Sequence, residues 1–310
     1  MKRIRLLLAA GGLWLLPVAA SYSADEAISP ALDVVATFSI LGDLVQAVGG
    51  ERITLHVLVG PDSDGHLYQP TPADARLLRA ADLVVSNGLG FEGWIDRFVH
   101  AAEFEGDTLV ASTGIEPLHI EVGERQEVDP HAWQSIANVR TYVNNISAAL
   151  QQARPEHAAW FAARAAAYQQ ELDVLATEIH EALAQLPPTR RSIVTSHDAF
   201  GYFGREHQLR FLAPMGLSTD SEASARDLSS LIRQIRAERI GAVFIENISD
   251  PRLMQRITGE TGARMGGVLY SDALSAPDGP AATYTAMIRH NLHTLMAALL
   301  PEPIMENPHD

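Results

Sequence analysis

The chain has 310 residues, 47% hydrophobic and 20% charged, which excludes a disordered or collagen-like chain and predicts two globular domains. Its formal net charge of −15 repels phosphate backbones and anionic lipid, arguing against a nucleic-acid partner, and draws cations toward the surface. There is no cysteine, so disulfides, thiolate metal sites, thiol nucleophiles and a lipid anchored on cysteine are excluded.

At the N-terminus, Lys2, Arg3 and Arg5 precede the apolar run Leu6 to Ala20, and Ser21-Tyr22-Ser23 offers small residues at a cleavage site. Residues 1–23 therefore read as a cleaved signal peptide. The apolar run is too short for a comfortable membrane span and is interrupted by Pro17. The mature protein is expected in the periplasm, with no lipid anchor and no direct membrane insertion.

Beyond it, β-rich runs at 34–39, 53–59, 83–86 and 108–111 alternate with helical patterns at 41–48, 72–80 and 93–102. The order repeats later, with strands expected at 192–195, 210–213, 242–246 and 265–269, and helices at 199–206, 225–238 and 251–261. Thr71-Pro72-Ala73-Asp74 and Asp250-Pro251 are helix-start signals. Between the halves, residues 156–186 lack Gly and internal Pro, and Phe161, Tyr168, Leu172, Leu175, Ile179, Leu183 and Leu186 share one helical face. The expected fold is α/β: two lobes, each a mainly parallel sheet flanked by helices, joined by one long rigid helix. The boundaries are residues 24–153 for the N-terminal lobe, 154–187 for the linking helix and 188–310 for the C-terminal lobe.

Gly88-Leu89-Gly90-Phe91-Glu92-Gly93 matches a dinucleotide-binding fingerprint, but it follows the third strand and sets Glu92 against the phosphates it would cradle. It reads as a glycine-rich turn. The histidines say more. His157 and His180 lie on the linking helix, and His290 and His293 share a face of the last helix, where they could clip a surface metal but are more often simply exposed. His56, His100, His119, His207 and His309 lack partners in sequence. His66, His131, His197 and Asp272 differ, because each lies in a loop beyond the carboxyl end of a strand, where open α/β sheets bind ligands. Two come from each lobe. If the lobes face one another, three imidazoles and one carboxylate form a four-coordinate shell suited to Zn²⁺. No H-E-x-x-H motif adds a general base.

At these residues the chain resembles the periplasmic solute-binding receptors of zinc and manganese ABC importers. Val34-Val35-Ala36-Thr37-Phe38-Ser39-Ile40, Asp129-Pro130-His131-Ala132-Trp133, the run from Ser196 to Phe203, Glu246-Asn247-Ile248-Ser249 and Leu269-Tyr270-Ser271-Asp272 carry the resemblance. Gly60-Pro61-Asp62-Ser63-Asp64 and the segment Asn247 to Ala273 are most similar to the Azt-type zinc receptors. The resemblance implies two lobes bridged by a long helix, with His66, His131, His197 and Asp272 as metal ligands. It also implies that histidine, where manganese receptors commonly carry glutamate at the third ligand position, favours zinc. The implied role is a non-enzymatic, high-affinity receptor that hands zinc to a membrane permease. It is expected to be a monomer, and loading by a periplasmic metallochaperone is conceivable.

Many zinc receptors carry a His-rich loop before the second ligand. Here Glu116 to Asp129 has only His119 among its acids, and reads as a solvated, charged turn. Asp62, Asp64, Asp129, Asp198 and Glu222 are candidates to orient the ligands. The alternatives are a manganese receptor of the same family, a zinc-dependent hydrolase with Asp272 as base, a receptor for an iron chelate, and a surface adhesin.

Overall fold

The computed structural model describes residues 31–122, 125–220 and 222–300, so the export segment read at 1–23 lies outside the described residues. The N-terminal lobe opens with β1 (Leu32–Phe38), α1 (Ser39–Gly49) and β2 (Ile53–Val59). It continues through α2 (Pro72–Ala80), β3 (Leu83–Ser86), α3 (Ile95–Ala101) and β4 (Asp107–Val110). These strands form one parallel sheet in the order β2-β1-β3-β4. The central strand β1, Leu-Asp-Val-Val-Ala-Thr-Phe, is almost wholly buried, as a strand covered by helices on both faces must be. Thr71 closes a capping box with Asp74 at the start of α2, so the loop carrying His66 leads into a firmly fixed helix.

A hairpin of β5 (Leu118–Val122) and β6 (Arg125–Asp129) follows, antiparallel, where the sequence reads as a charged turn. Leu118 and Ile120 alternate with His119 and Glu121, a period of two that the local density of acids obscures. The hairpin does more than turn the chain. Tyr202 in the opposite lobe donates its hydroxyl to the Asp129 carbonyl at 2.9 Å and accepts the Leu118 amide at 2.9 Å.

After α4 (Ile136–Ala153), capped by Ser135, the linking helix is α5 (Ala158–Leu183), 26 residues and so about 39 Å long. Phe161, Ala165, Leu172, Leu175, Ile179 and Leu183 form its buried stripe. That stripe rests on α1 and α4 of the first lobe and on the last helix, α9 (Tyr284–Leu299), of the second. Leu172→Ala is expected to lower unfolding stability by about 2–5 kcal/mol, because the cavity would open in a rigid seam between helices. Urea unfolding followed by circular dichroism checks this.

The C-terminal lobe runs through β7 (Ser192–Val194), α6 (Gly201–His207), β8 (Arg210–Leu212) and α7 (Ala225–Glu238). It then adds β9 (Ala242–Glu246), α8 (Pro251–Thr261) and β10 (Arg264–Leu269) before α9. Its sheet is parallel, ordered β10-β9-β7-β8. Each sheet therefore reverses winding at its middle, between β1 and β3 in one and β7 and β9 in the other. Such switch points open crevices at the carboxyl ends of strands. One apolar core runs from Leu32 in β1 through α5 to Leu299, and a second, under α7 and α8, centres on Leu231, Ile235, Val243 and Ile257. No helix among the described residues is long and apolar enough to cross a membrane.

Candidate metal centre

His66 follows β2, His131 follows β6, His197 follows β7 and Asp272 follows β10. The structure brings all four together, with one donor atom from each lying within 4.8 Å of the others. His131 Nε2 is 3.3 Å from His66 Nε2 and 3.4 Å from His197 Nε2. Asp272 Oδ2 is 3.4 Å from His66 Nε2 and 3.2 Å from His197 Nε2, and its Oδ1 is 3.7 Å from His131 Nε2. Bonds of about 2.0–2.2 Å to a tetrahedral ion place its donors about 3.3–3.6 Å apart. These four side chains are spaced for such an ion.

Two ligand loops are held from behind by carboxylates. Asp129 Oδ1 lies 2.8 Å from His131 Nδ1 and also accepts the His131 amide at 2.9 Å. Glu246 Oε2 lies 2.5 Å from His197 Nδ1, while its Oε1 accepts the His197 amide at 2.9 Å. Placing the proton on Nδ1 leaves the Nε2 lone pair of both rings facing the centre, the arrangement ligand histidines require. Of the ligand-orienting candidates in the sequence, Asp129 has this role toward a ring, and Asp64 accepts the His66 amide at 2.9 Å. Asp62 acts on the loop, accepting from Asn247 Nδ2 at 3.0 Å. Glu246 carries part of the family resemblance in the sequence, but its role behind His197 is not read there, although a lone acid closing the apolar run Ala-Val-Phe-Ile is the signal that marks it.

Packing fixes the remaining freedom. The His66 ring meets Phe91 edge-on at 4.6 Å, and Trp94 Nε1 donates to the Gly65 carbonyl at 3.0 Å. A Cβ on Gly65 would come within 2.7 Å of the Phe91 ring, so that position needs glycine. The Asp272 loop is gripped from the other lobe, with Trp133 Nε1 and Gln134 Nε2 each donating to the Ser271 carbonyl at 2.8 Å. Gly201 approaches Asp129 so closely that a Cβ would lie 2.5 Å from its Oδ2.

The electrostatics suit a cation. Asp129, Glu246 and Asp272 are all fully buried, and neither oxygen of Asp272 accepts a well-aligned hydrogen bond. Burial disfavours charge on His131, but Asp272 in front and Asp129 behind outweigh it and raise its pKa to about 9. Burial likewise opposes protonation of His197, yet Glu246 and Asp272 hold its pKa well above the ordinary value. Asp272 is raised by burial but drawn well below the usual carboxylate range by His197 and His131. A divalent cation carries the same charge as the two protons it would displace from these rings. The exchange leaves the buried charge unchanged.

Other candidates fall elsewhere. Among the described residues no other three metal-ligating side chains converge. His290 Nε2 contacts the Val268 carbonyl at 3.1 Å, and the His207 ring rests against Phe203. Glu92 of the glycine-rich turn is buried and accepts from Thr37 Oγ1, the Asn87 amide and the Gly88 amide, a fastening within the loop rather than a phosphate cradle.

Glu246→Gln keeps the shape behind His197 but removes the charge. Its zinc affinity is expected to fall by about 10–100-fold, as losses of ligand-orienting partners do, measurable by competition with a chromophoric chelator.

Residues 34–298 match the family described as zinc-uptake complex component A, periplasmic. The chain is 34% identical over 283 residues to the manganese-binding lipoprotein MntA of Bacillus subtilis, covering 89% of this chain and 92% of that one. It is 32% identical over 263 residues to the iron-binding protein YfeA of Yersinia pestis, covering 84% of each. Among solved structures, the periplasmic zinc binding protein TroA from Treponema pallidum superposes with a TM-score of 0.82 at 32% identity, over 87% of this chain and 100% of that one. Two lobes built on parallel sheets, and sequence likeness across nearly all of both, place this chain in the ZnuA family of periplasmic metal-binding receptors.

Proposed function

We propose that the protein is a periplasmic receptor that binds Zn²⁺ through His66, His131, His197 and Asp272 and delivers it to the permease of an ABC importer. The observation that carries this reading is the convergence of four donor atoms within 4.8 Å of one another, one of them from a buried carboxylate with no well-aligned hydrogen-bond partner. The metal is cargo, held by a complete protein shell, whereas catalytic zinc usually keeps a position for water. The protein is thus a carrier and not an enzyme. It acts as a monomer, exported by its N-terminal segment and docking on the membrane component.

Relatives over most of the chain are named for manganese, iron and zinc, so the metal is argued from the donor set. Three imidazole nitrogens and one carboxylate suit zinc, while manganese favours more oxygen donors. Competitive titration of the chelator-stripped protein with zinc and manganese tests the assignment. One zinc per chain, bound far tighter than manganese, is expected; a preference for manganese would overturn the metal while keeping the receptor role.

A further inference from the structure

The glycine-rich turn between β3 and α3 is no phosphate cradle, yet its side chains reach both histidines of the N-terminal lobe. The Phe91 ring meets that of His66 edge-on at 4.6 Å and lies 6.2 Å from that of His131. Trp94 Nε1 donates to the carbonyl of Gly65, next to His66, at 3.0 Å. Asn87 Nδ2 donates to the carbonyl of Pro130, next to His131, at 2.9 Å. Two ligands 65 residues apart in the chain are thus tied to one short turn.

The turn itself is locked. Gly88, Leu89 and Gly90 have φ of 83°, 55° and 86°, three successive left-handed residues of which one is a leucine. A side chain at positive φ persists only where its surroundings over-determine it. Here buried Glu92 accepts the Asn87 amide at 2.7 Å, the Gly88 amide at 3.2 Å and the Thr37 hydroxyl at 2.6 Å. The buried Asn87 side chain is equally committed: Nδ2 also donates to the Gly88 carbonyl at 2.9 Å, and Oδ1 accepts the Tyr142 hydroxyl. With both amide hydrogens and the oxygen engaged, the side chain has one orientation, and so has its bond to Pro130.

This rigidity sets a distance. The Nε2 atoms of His66 and His131 are 3.3 Å apart. Once both rings are neutral, as metal binding requires, their lone pairs repel, so the protein must hold the spacing. A fixed pair keeps the angle at the ion near tetrahedral, which suits zinc. An octahedral ion such as manganese needs neighbouring donors nearer a right angle and room for two more. We infer that the turn from Asn87 to Trp94 is the selectivity frame of the site: through Trp94, Phe91 and Asn87 it fixes the His66–His131 spacing and so favours a four-coordinate ion over a six-coordinate one. The inference rests on the receptor reading above and adds the residues that make the site selective. Asn87, Phe91 and Trp94 are positioning residues, acting through the two histidines.

Asn87→Asp replaces the donor to Pro130 by a carboxylate oxygen, and Trp94→Phe removes the donor to Gly65 while keeping a ring in place. Each is expected to lower the ratio of zinc to manganese affinity about tenfold, zinc losing the more, in line with the loss of other ligand-orienting partners. Chelator competition gives both affinities. Cobalt reports the geometry: an intense visible band marks four-coordinate Co²⁺ in the wild type and is expected to weaken in the variants as further donors enter. A change that only destabilises the fold lowers the melting temperature and moves neither readout. An unchanged ratio, whether both affinities fall together or neither moves, would overturn the inference. Trp94→Phe, the milder change, carries the test if Asn87→Asp does not fold. A wild-type chain that takes up neither metal contradicts the receptor reading itself, whereas wild-type binding with an unchanged ratio in the variants removes the frame alone.

Discussion

His197→Ala is expected to weaken zinc binding by about a hundredfold. Four-ligand protein zinc sites bind with roughly 10–16 kcal/mol at neutral pH, so losing one of four donors removes on the order of 3 kcal/mol. The loss is not made good by a neighbour, because among the described residues no further metal-ligating side chain converges on the centre. The variant should still fold. Glu246 Oε1 keeps the backbone amide of position 197, although its Oε2 loses the imidazole and leaves a buried charge unpaired. That unpaired charge costs about 3–5 kcal/mol in the metal-free state. Affinity is read by chelator competition and folding by thermal melting; an affinity unmoved by the substitution would remove His197 from the ligand set.

The second large effect is on pH. His131 and His197 have pKa values raised in the metal-free fold, His131 to about 9, so both carry protons at neutral pH. Zinc must displace those protons, and about two should be released per ion bound near pH 7. Apparent affinity therefore rises with pH through the neutral range, with a slope approaching two decades per unit, and flattens only once the raised values are passed. Calorimetry in buffers of different ionisation enthalpy counts the protons directly.

Stability of the metal-free protein should move the opposite way. A histidine raised in the fold contributes stability that is fully present below its unfolded value near 6.5 and is lost as pH rises through the folded value. For His131 that contribution is on the order of 3 kcal/mol. Melting temperature without metal should thus fall between pH 6.5 and 9, as Asp272 and Asp129 lose the cationic His131. With zinc bound it should not. Equal pH dependence in the two states would contradict the exchange of two protons for one ion.

Much of the fold is legible in the sequence because local signals agree with tertiary demands. Ile53–Val59, Leu83–Ser86, Pro72–Ala80 and Ala225–Glu238 stand where their periodicity and caps place them. The convergence of His66, His197 and Asp272 is legible for a different reason: each sits in a loop just past a strand of a parallel sheet, and such sheets gather these loops at one edge, whereas His131 joins them from the end of the antiparallel hairpin. What escapes is less local. The β5–β6 hairpin is obscured by its acids, and its anchor, Tyr202, comes from the other lobe. Glu246 belongs to a buried strand, and only the three-dimensional neighbour His197 gives its charge a purpose.

Anomalous diffraction at the zinc edge from metal-loaded crystals locates the ion itself. One strong peak per chain is expected, about 2.0–2.2 Å from the Nε2 atoms of His66, His131 and His197 and from a carboxylate oxygen of Asp272. A peak elsewhere, or one at this centre lacking any of those four ligands, would contradict it.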